Sequence, residues 1–461
     1  MTEKKQTHYH QMIPDHVLQC MRELSEAGHE AWLVGGAVRD FCLGKIPTDF
    51  DLATDATPDR MLVIFSDRRI LSTGIRHGTI TVFFGAHPLE ITSFRKEGTY
   101  SDGRRPDFVT FTSCLNSDLT RRDFTINALA MNENGLLIDM FGGCDDLSDG
   151  LIRCVGKPME RFREDSLRVL RALRFASTLG FRIEPQTSDA LRACAVLLGS
   201  ISAERVWEEF IPLICGGNVG PVLENYDDVI AQIIPEIRPM KGFHQHNPYH
   251  HLDVWTHTVR VVENVPPEKT VRLAALFHDI GKPGTFSSDE KGVGHFYGHE
   301  IKGANIAYDV LGRMRSDSAT RADVKQLVAI HCIPVSPDEM TVRRRLNQYG
   351  PEIFNQLIDI KIADAKAQSG LCSGRIDALL ESKERARECI LLKKCFTKGN
   401  LMINGSDLME EGMSPGPKMG RLLEEILGKV IAGELSNERE CLIRYAKSRL
   451  LQGSFDSEKD G

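Results

Sequence analysis

The sequence has 461 residues, of which 41% are hydrophobic and 26% are charged, as in ordinary globular proteins. A single hydrophobic core rarely grows past roughly 250–300 residues, so we expect several domains. The net charge of −7 at pH 7 argues against a protein that coats nucleic acid without selectivity.

Cysteine usage and hydropathy bear on the compartment. The twelve cysteines include no Cys-x-x-Cys pair, which argues for reduced thiols and against a cysteine-based zinc site. No segment is long and apolar enough to cross a membrane, and the polar N-terminal segment does not resemble an export signal. We therefore expect a cytoplasmic protein that does not associate with membranes.

Strand-like segments are confined to the first third of the sequence. Three runs have the composition of strands: Ala31–Val34, His77–Phe84 and Leu89–Phe94. Pro58 after Thr57 predicts the start of a helix over 59–66. From about residue 151 the pattern is helical almost to the end. The sequence therefore predicts an α+β head, with a small mixed sheet and helices, followed by a long all-α body.

Two carboxylates one residue apart mark the first candidate site. Asp49 and Asp51 lie in the run TDFDLAT, and on a strand both side chains would project to one face. Two such carboxylates repel each other unless a cation lies between them, and oxygen ligands favour Mg²⁺. Glu90, on a neighbouring predicted strand, is a candidate third ligand. A solvated Asp-x-Asp turn is the alternative.

A Gly-Gly pair precedes these carboxylates. Gly35 and Gly36, in the run LVGGAVRD, would let the backbone approach a phosphate closely. A helix starting near Ala37 would direct its first amides at that phosphate, and Arg39 would add positive charge. A phosphate-binding loop beside an acidic pair favours a metal-dependent phosphate site over a solvated turn.

The segment 33–54 resembles the polymerase-β-type nucleotidyltransferase head of class II, bacterial-type tRNA CCA-adding enzymes and poly(A) polymerases. Four later segments resemble further motifs of that family in the same order: DLTRRDFTINALA (118–130), DMFGGCDDL (139–147), EDSLRVLRALRF (164–175) and AERVWEEF (203–210). The resemblance implies template-independent addition of C, C and A to the 3′ end of tRNA from CTP and ATP. An A-adding enzyme or a poly(A) polymerase is the alternative.

A charged stripe in the fourth motif suggests how bases are selected. Its members recur every third residue on a predicted helix: Asp165, Arg168, Arg171 and Arg174. A solvated charged face is the alternative. Cytosine and adenine each present an amino donor beside a ring-nitrogen acceptor, so an Asp acceptor beside an Arg donor matches both and opposes G and U. The resemblance assigns base selection to Asp165 and Arg168. It implies that Arg171 and Arg174 face the triphosphate or the tRNA end.

The resemblance also implies the chemistry. The tRNA 3′-hydroxyl would attack the nucleotide α-phosphate in line, with two Mg²⁺ ions held by Asp49 and Asp51, Glu90 as a further catalytic carboxylate, and pyrophosphate leaving. Either Arg121 or Arg122 would contact phosphate. Relatives that add the complete CCA have a flexible loop after the third carboxylate. The segment 95–106, RKEGTYSDGRRP, has the full length of that loop and favours complete addition.

Histidines are concentrated in the middle of the sequence. Six residues resemble, in order, the metal ligands of HD-domain phosphohydrolases: His257, His278, Asp279, His299, His331 and Asp364. Imidazole with carboxylate suits a transition metal or Mg²⁺, and such ions activate water against phosphodiesters. We therefore expect a second divalent metal there, with phosphohydrolysis as a principal or second activity. A degenerate HD domain that only supports tRNA is the competing interpretation.

These patterns predict four domains. They are a nucleotidyltransferase head over 13–150, a base-selecting and tRNA-binding neck over 151–235, an HD domain over 236–370 and a helical tail over 371–461. The tail is expected to contact tRNA through a basic face, with ordinary helical packing as the alternative. That face would consist of Arg439, Arg444, Lys447 and Arg449. The sequence indicates no protein partner.

Overall fold

The computed structural model describes residues 3–6, 9–98, 108–246, 251–368 and 374–451. The chain forms two compact units, Met1–Pro235 and Glu236–Gly461. The first contains the main sheet, and the second is almost entirely helical. None of the helices in the described ranges is long and apolar enough to span a membrane.

A mixed sheet organises the beginning of the first unit. The strands of this unit are β1 (Glu3–Gln6), β2 (Ala31–Val34), β3 (Asp51–Thr54), β4 (Ile70–Leu71), β5 (Thr79–Phe84), β6 (His87–Ser93), β7 (Arg95–Glu97), β8 (Val109–Phe111), β9 (Leu129–Met131), β10 (Leu136–Asp139), β11 (Leu151–Ile152) and β12 (Arg182–Ile183). Among the described residues, eight strands form one sheet in the order β1-β10-β9-β2-β3-β6-β5-β4. Strands β3 and β6 are parallel, and the other neighbours are antiparallel.

The alternation of side chains explains strand β5. Ile80, Val82 and Phe84 are buried, whereas the residues between them are half-buried. The period of two therefore places one face of this strand on the core. The strand begins two residues later than predicted, because Ile75–His77 form a 3₁₀ turn that Gly78 ends with a φ of +84°.

Helices surround the sheet and then form the neck. They are α1 (Asp15–Glu26), α2 (Gly36–Cys42), α3 (Pro58–Ile64), α4 (Leu115–Thr120), α5 (Gly143–Ser148), α6 (Pro158–Glu164), α7 (Arg168–Leu179), α8 (Pro185–Cys194), α9 (Ala203–Ile214), α10 (Val219–Asn225) and α11 (Asp227–Ile233). Helices α7 and α9 pack against each other. Ser177 of α7 donates a 2.7 Å hydrogen bond to the carbonyl of Leu213 in α9.

Two acidic residues lie outside the elements on which the sequence placed them. Asp49 precedes β3, which begins at Asp51 because its pairing with β2 starts at the register Asp51–Val34, where β2 ends. Asp165 lies between α6 and α7 in an extended conformation, with φ −138° and ψ 102°. Its carboxylate accepts the backbone N–H of Leu167 at 3.1 Å, so it bonds to the start of α7 from outside that helix.

The second unit is built from long helices and one short hairpin. Its elements are α12 (Val254–Asn264), α13 (Lys269–Phe277), β13 (Ser287–Ser288), β14 (Gly294–His295), α14 (His299–Arg313), α15 (Ser318–Ile330), α16 (Glu339–Ala367), α17 (Gly374–Leu391), α18 (Gly405–Glu410), α19 (Pro417–Ile431) and α20 (Arg439–Leu451). Helix α16 is interrupted at Gly350, whose φ is +77°, and continues from Pro351. The predicted helical body is confirmed.

Candidate active site

The parallel pairing of β3 and β6 places two acidic residues side by side. Asp51 and Glu90 are directly paired in register, so their side chains lie on the same face of the sheet. Desolvation and the charges of Asp49 and Glu90 raise the pKa of Asp51 to about 6, against a smaller opposing effect of Arg122. Three carboxylates that repel one another in this way fit a divalent cation.

The backbone before helix α2 is adapted to a close approach. Gly35 has a φ of +69°, a conformation that L side chains rarely adopt, and a Cβ atom there would lie 3.2 Å from Nη1 of Arg122. The side chain of Arg39 is oriented by neighbours. Its Nε donates to Asp40 at 2.9 Å, and its Nη1 donates to Asn127 at 3.0 Å.

A buried carboxylate holds the two consecutive arginines of the second motif. Asp118 is fully buried, and its two oxygens lie 2.7 Å from Nη2 of Arg121 and 3.2 Å from Nη2 of Arg122. Arg122 is the one that approaches Gly35 and influences the pKa of Asp51. Of the two candidates, Arg122 therefore lies nearer the acidic pair.

One cavity of about 670 Å³ collects nearly all the residues singled out from the first 235 positions. This volume is typical of small-molecule sites. The predicted residues that line it are Gly35, Gly36, Arg39, Asp49, Asp51, Arg121, Arg122, Asp165, Arg168, Arg171 and Arg174. Glu90 does not line the cavity, although its backbone pairs with Asp51. The tertiary structure thus brings the glycine loop, the acidic pair and the arginines of helix α7 into one cavity.

The arginines of α7 are held by different partners. Arg168 is only 9% exposed, and its guanidinium binds Glu164 at 2.8 Å and the carbonyl of Arg121 at 3.0 Å. Arg171 lies 2.8 Å from Asp123 and 3.2 Å from Glu209. The alternative of a solvated charged face therefore does not hold, because these guanidinium groups are paired along the cavity wall.

Sequence reasoning missed three residues that organise this wall, namely Asp123, Arg205 and Glu209. Glu209 lies 2.7 Å from Arg174 and also contacts Arg171. Burial alone would raise the pKa of Asp123, but Arg171 and Arg168 outweigh it and lower the pKa to about 2. These three residues all lie within the family-like motifs, and their charged side chains among apolar neighbours in those motifs were a usable signal.

A second group of side chains lies in the helical unit. Nε2 of His257 is 3.0 Å from Oδ1 of Asp364 and 3.7 Å from Oδ2 of Asp279, and Nε2 of His278 is 3.2 Å from the same Oδ2 atom. On the other side of the carboxylate, Oδ1 of Asp279 lies 3.6 Å from Nε2 of His299 and 3.8 Å from Nε2 of His331. The six predicted residues therefore converge around Asp279.

The charges around Asp279 keep it ionised. Burial alone would raise its pKa, but His278 and Lys282 outweigh this and hold the pKa well below its usual value. The Lys282 ammonium lies 2.7 Å from Oδ2. Burial lowers the pKa of His331 to about 3, so this imidazole is neutral at neutral pH. A buried carboxylate facing several imidazole nitrogens is a donor set that fits a divalent metal. A cavity of about 440 Å³ opens onto it.

A mixed sheet with an acidic pair, a glycine loop and an arginine-lined helical wall defines the first unit as a nucleotidyltransferase. The family model described as the poly(A) polymerase head domain matches residues 31–153. The model described as a probable RNA and SrmB-binding site of polymerase A matches residues 180–240, and the one described as tRNA nucleotidyltransferase domain 2, putative, matches residues 307–446. The chain belongs to the CCA-adding enzyme family of tRNA nucleotidyltransferases, and the enzymes of this family use a divalent metal.

Individual relatives cover almost the whole chain. The CCA-adding enzyme of Levilactobacillus brevis is 34% identical over 92% of this chain and 95% of its own length. That of Lactobacillus johnsonii is 34% identical over 93% and 96%. The Bacillus stearothermophilus CCA-adding enzyme, solved in complex with CTP, has a TM-score of 0.70 at 28% identity and covers 96% of this chain and 100% of its own. The Thermotoga maritima enzyme, at 20% identity and a TM-score of 0.62, covers 98% and 100% and shows the same fold.

Proposed function

We propose that this protein adds C, C and A to the 3′ end of tRNA from CTP and ATP, with release of pyrophosphate. The observation that carries this proposal is the cavity that unites the acidic pair with the paired arginines of α7. Relatives named as CCA-adding enzymes, including one solved with CTP and one with tRNA-CCA, support the choice of substrates.

The proposed metal is Mg²⁺, held by Asp49 and Asp51 with Glu90 beside them. The fit rests on the placement of Asp49 and Asp51 in one cavity and on the in-register pairing of Asp51 with Glu90. Desolvation is the largest cause of the raised pKa of Asp51, and the charges of Asp49 and Glu90 add a repulsion that a cation would relieve. When bound, Mg²⁺ ions supply charge stabilisation for the attacking and leaving oxygens of an in-line displacement. Because Asp49 and Asp51 line the same cavity as the glycine loop, a metal held by them would lie close to a triphosphate bound at that loop.

The remaining residues of the cavity divide between phosphate and base. Gly35 and Gly36 offer close backbone approach to the triphosphate, and Arg39 and Arg122 add positive charge near it. Arg121, Arg171 and Arg174 are the further proposed phosphate or tRNA contacts. Asp165, with Arg168 and Arg205 around it, offers an acceptor beside donors, which matches cytosine and adenine.

An extension assay tests this function. tRNA transcripts ending before CCA, after C and after CC would each receive CTP, ATP or both in the presence of Mg²⁺. We expect three additions that require both nucleotides and then stop. A single A on the CC-ending transcript would instead identify an A-adding enzyme, and a long ATP-dependent ladder would identify a poly(A) polymerase. Positions 99–106 of the loop segment that favours complete addition lie outside the described residues.

We propose, as a second candidate function, metal-dependent hydrolysis of phosphodiesters by an HD domain in the second unit. The convergence of imidazole and carboxylate donors around Asp279 favours it. The test is hydrolysis of bis-p-nitrophenyl phosphate by the full-length protein with added divalent metals and then with a chelator. Turnover that the chelator abolishes is expected. No turnover with any divalent metal would support a domain that only serves tRNA binding.

We also propose the domain boundaries at residues 150, 235 and 370, with tRNA contact in the neck and the tail. The basic face proposed for the tail is partly neutralised within the tail itself. Arg439 lies 2.7 Å from Asp407, and Lys447 lies 2.8 Å from Glu411. Arg444 is exposed and is the tail arginine best placed to meet a phosphate backbone.

A further inference from the structure

A thiol lies beside two of the histidines in the helical unit. Cys332 directly follows His331, just after helix α15, and its Sγ atom is 3.2 Å from Nε2 of His331 and 3.6 Å from Nε2 of His299. The two Nε2 atoms are themselves 3.3 Å apart. The described residues contain two groups of closely spaced donors, and this trio is a separate group from His257, His278 and Asp279.

The ring nitrogens are oriented so that both unprotonated atoms face each other. Nδ1 of His299 contacts the carbonyl of Phe296 at 2.7 Å, and Nδ1 of His331 contacts that of Val328 at 2.7 Å. A carbonyl can only accept, so each Nδ1 carries the proton and each Nε2 of a neutral ring presents a lone pair. Two lone pairs 3.3 Å apart repel each other, and a cation between them removes the repulsion.

The spacing matches the donors of a tetrahedral transition-metal site. Metal–nitrogen bonds of about 2.05 Å and a metal–sulfur bond of about 2.3 Å place two nitrogens about 3.3 Å apart and nitrogen and sulfur about 3.6 Å apart. The observed separations of 3.3, 3.2 and 3.6 Å lie within about 0.4 Å of these values. Oδ1 of Asp279 faces the same two imidazoles, whereas Lys282 contacts the opposite oxygen, Oδ2.

The geometry points to a metal position in which Cys332 is a ligand together with His299 and His331, with Asp279 as the carboxylate shared with the His257–His278–Asp364 side. This inference rests on the second candidate function and specifies its metal. A thiolate with two imidazoles selects a softer ion of the Zn²⁺ or Co²⁺ class over Mg²⁺. The two metal requirements of the protein would then differ, with a hard ion at the acidic pair and a softer one here.

The test uses the full-length protein, stripped of metal, with excess Mg²⁺ present and Co²⁺ as the probe. A thiolate bound to Co²⁺ gives a ligand-to-metal charge-transfer absorption in the near ultraviolet, which carboxylate and imidazole ligands do not give. We expect this band in the wild-type protein and its loss in Cys332→Ser, together with Zn²⁺ affinity weakened by more than about tenfold. Cys332→His should lose the band but keep the bound Co²⁺.

A matched control and two contrary results make the test decisive. Cys114→Ser removes an exposed cysteine of the other unit and should retain the band. Wild-type protein that binds Co²⁺ without the band would overturn the role of Cys332 and leave the phosphohydrolase candidate standing. Wild-type protein that binds no more Co²⁺ than His278→Ala does would overturn both the role of Cys332 and the phosphohydrolase candidate.

Discussion

The two oxygens of Asp165 have different partners, and one of them is Arg205. Oδ2 lies 2.8 Å from Nη2 of Arg205, whereas Oδ1 accepts the backbone N–H of Leu167 at 3.1 Å. The residue that the sequence assigned to base selection is therefore fixed by a guanidinium 40 positions later. This pairing joins the fourth and fifth family-like motifs in one cavity wall.

Replacing Arg205 should reduce base discrimination. In Arg205→Ala the Asp165 carboxylate loses the guanidinium that orients it, which corresponds to about 1–3 kcal/mol for a charged hydrogen bond. We expect the ratio of kcat/KM for CTP over UTP to fall on the order of tenfold. Arg192→Ala, which removes an exposed arginine paired with Asp228 outside the cavity, is the control. An unchanged ratio would show that Asp165 needs no such partner.

Replacing Glu209 should weaken the ion pairs that hold two arginines of α7 at the cavity wall. Glu209 is buried and contacts both Arg171 and Arg174, so Glu209→Gln leaves two guanidinium groups with reduced compensation. We expect about 1–3 kcal/mol lower unfolding free energy in urea and a raised KM for both nucleotides. Glu208→Gln changes the exposed neighbour on the same helix and should do neither. Equal behaviour of the two variants would contradict the proposed role.

The raised pKa of Asp51 makes stability depend on pH in the absence of divalent metal. Its pKa of about 6 in the folded protein exceeds the ordinary value of about 3.9, so the folded state binds more protons between these values. Unfolding free energy should therefore fall as pH rises from about 4 to about 6. Asp51→Asn should raise the Tm at pH 7 but not at pH 4, measured by calorimetry. Asp67→Asn, an exposed aspartate, is the control, and a pH-independent difference would refute this account.

The two proposed activities should separate by mutation. Asp49→Ala removes a carboxylate of the nucleotidyltransferase unit and should abolish nucleotide addition while leaving phosphodiester hydrolysis intact. His278→Ala should do the reverse, because His278 lies in the other unit. Both rates are measured on the same preparations. Nucleotide addition that survives Asp49→Ala would show that the metal site is misplaced.

Charge reversal in the tail should weaken tRNA binding unequally. Arg444 is exposed, whereas Arg439 is already paired with Asp407. Arg444→Glu should therefore lower tRNA affinity more than Arg439→Glu does. It should also reduce the slope of log Kd against log salt concentration by about one. Filter binding over a range of salt concentrations measures both. Identical salt slopes in wild type and variants would favour ordinary helical packing.

The local sequence was sufficient to predict several strands and helices and to single out many of the side chains that line the two cavities. The strand Ala31–Val34 has its predicted bounds, and the helix predicted over 59–66 spans Pro58–Ile64. Apolar periodicity and capping signals are short-range properties, so they can be read from neighbouring residues. The family membership followed from the order of short motifs.

Only tertiary structure decided which of these residues are partners. Asp49 was expected on a strand with Asp51, but the strand begins where pairing with β2 becomes available. Asp165 was expected to act with Arg168, and the structure adds that Arg205 pairs with Asp165, whereas Arg168 contacts Glu164 and two backbone carbonyls. Likewise, nothing local marks Cys332 as a neighbour of His299, 33 residues away. Charge pairing across α7 and α9, and donor clustering around Asp279, depend on long-range packing that periodicity does not encode.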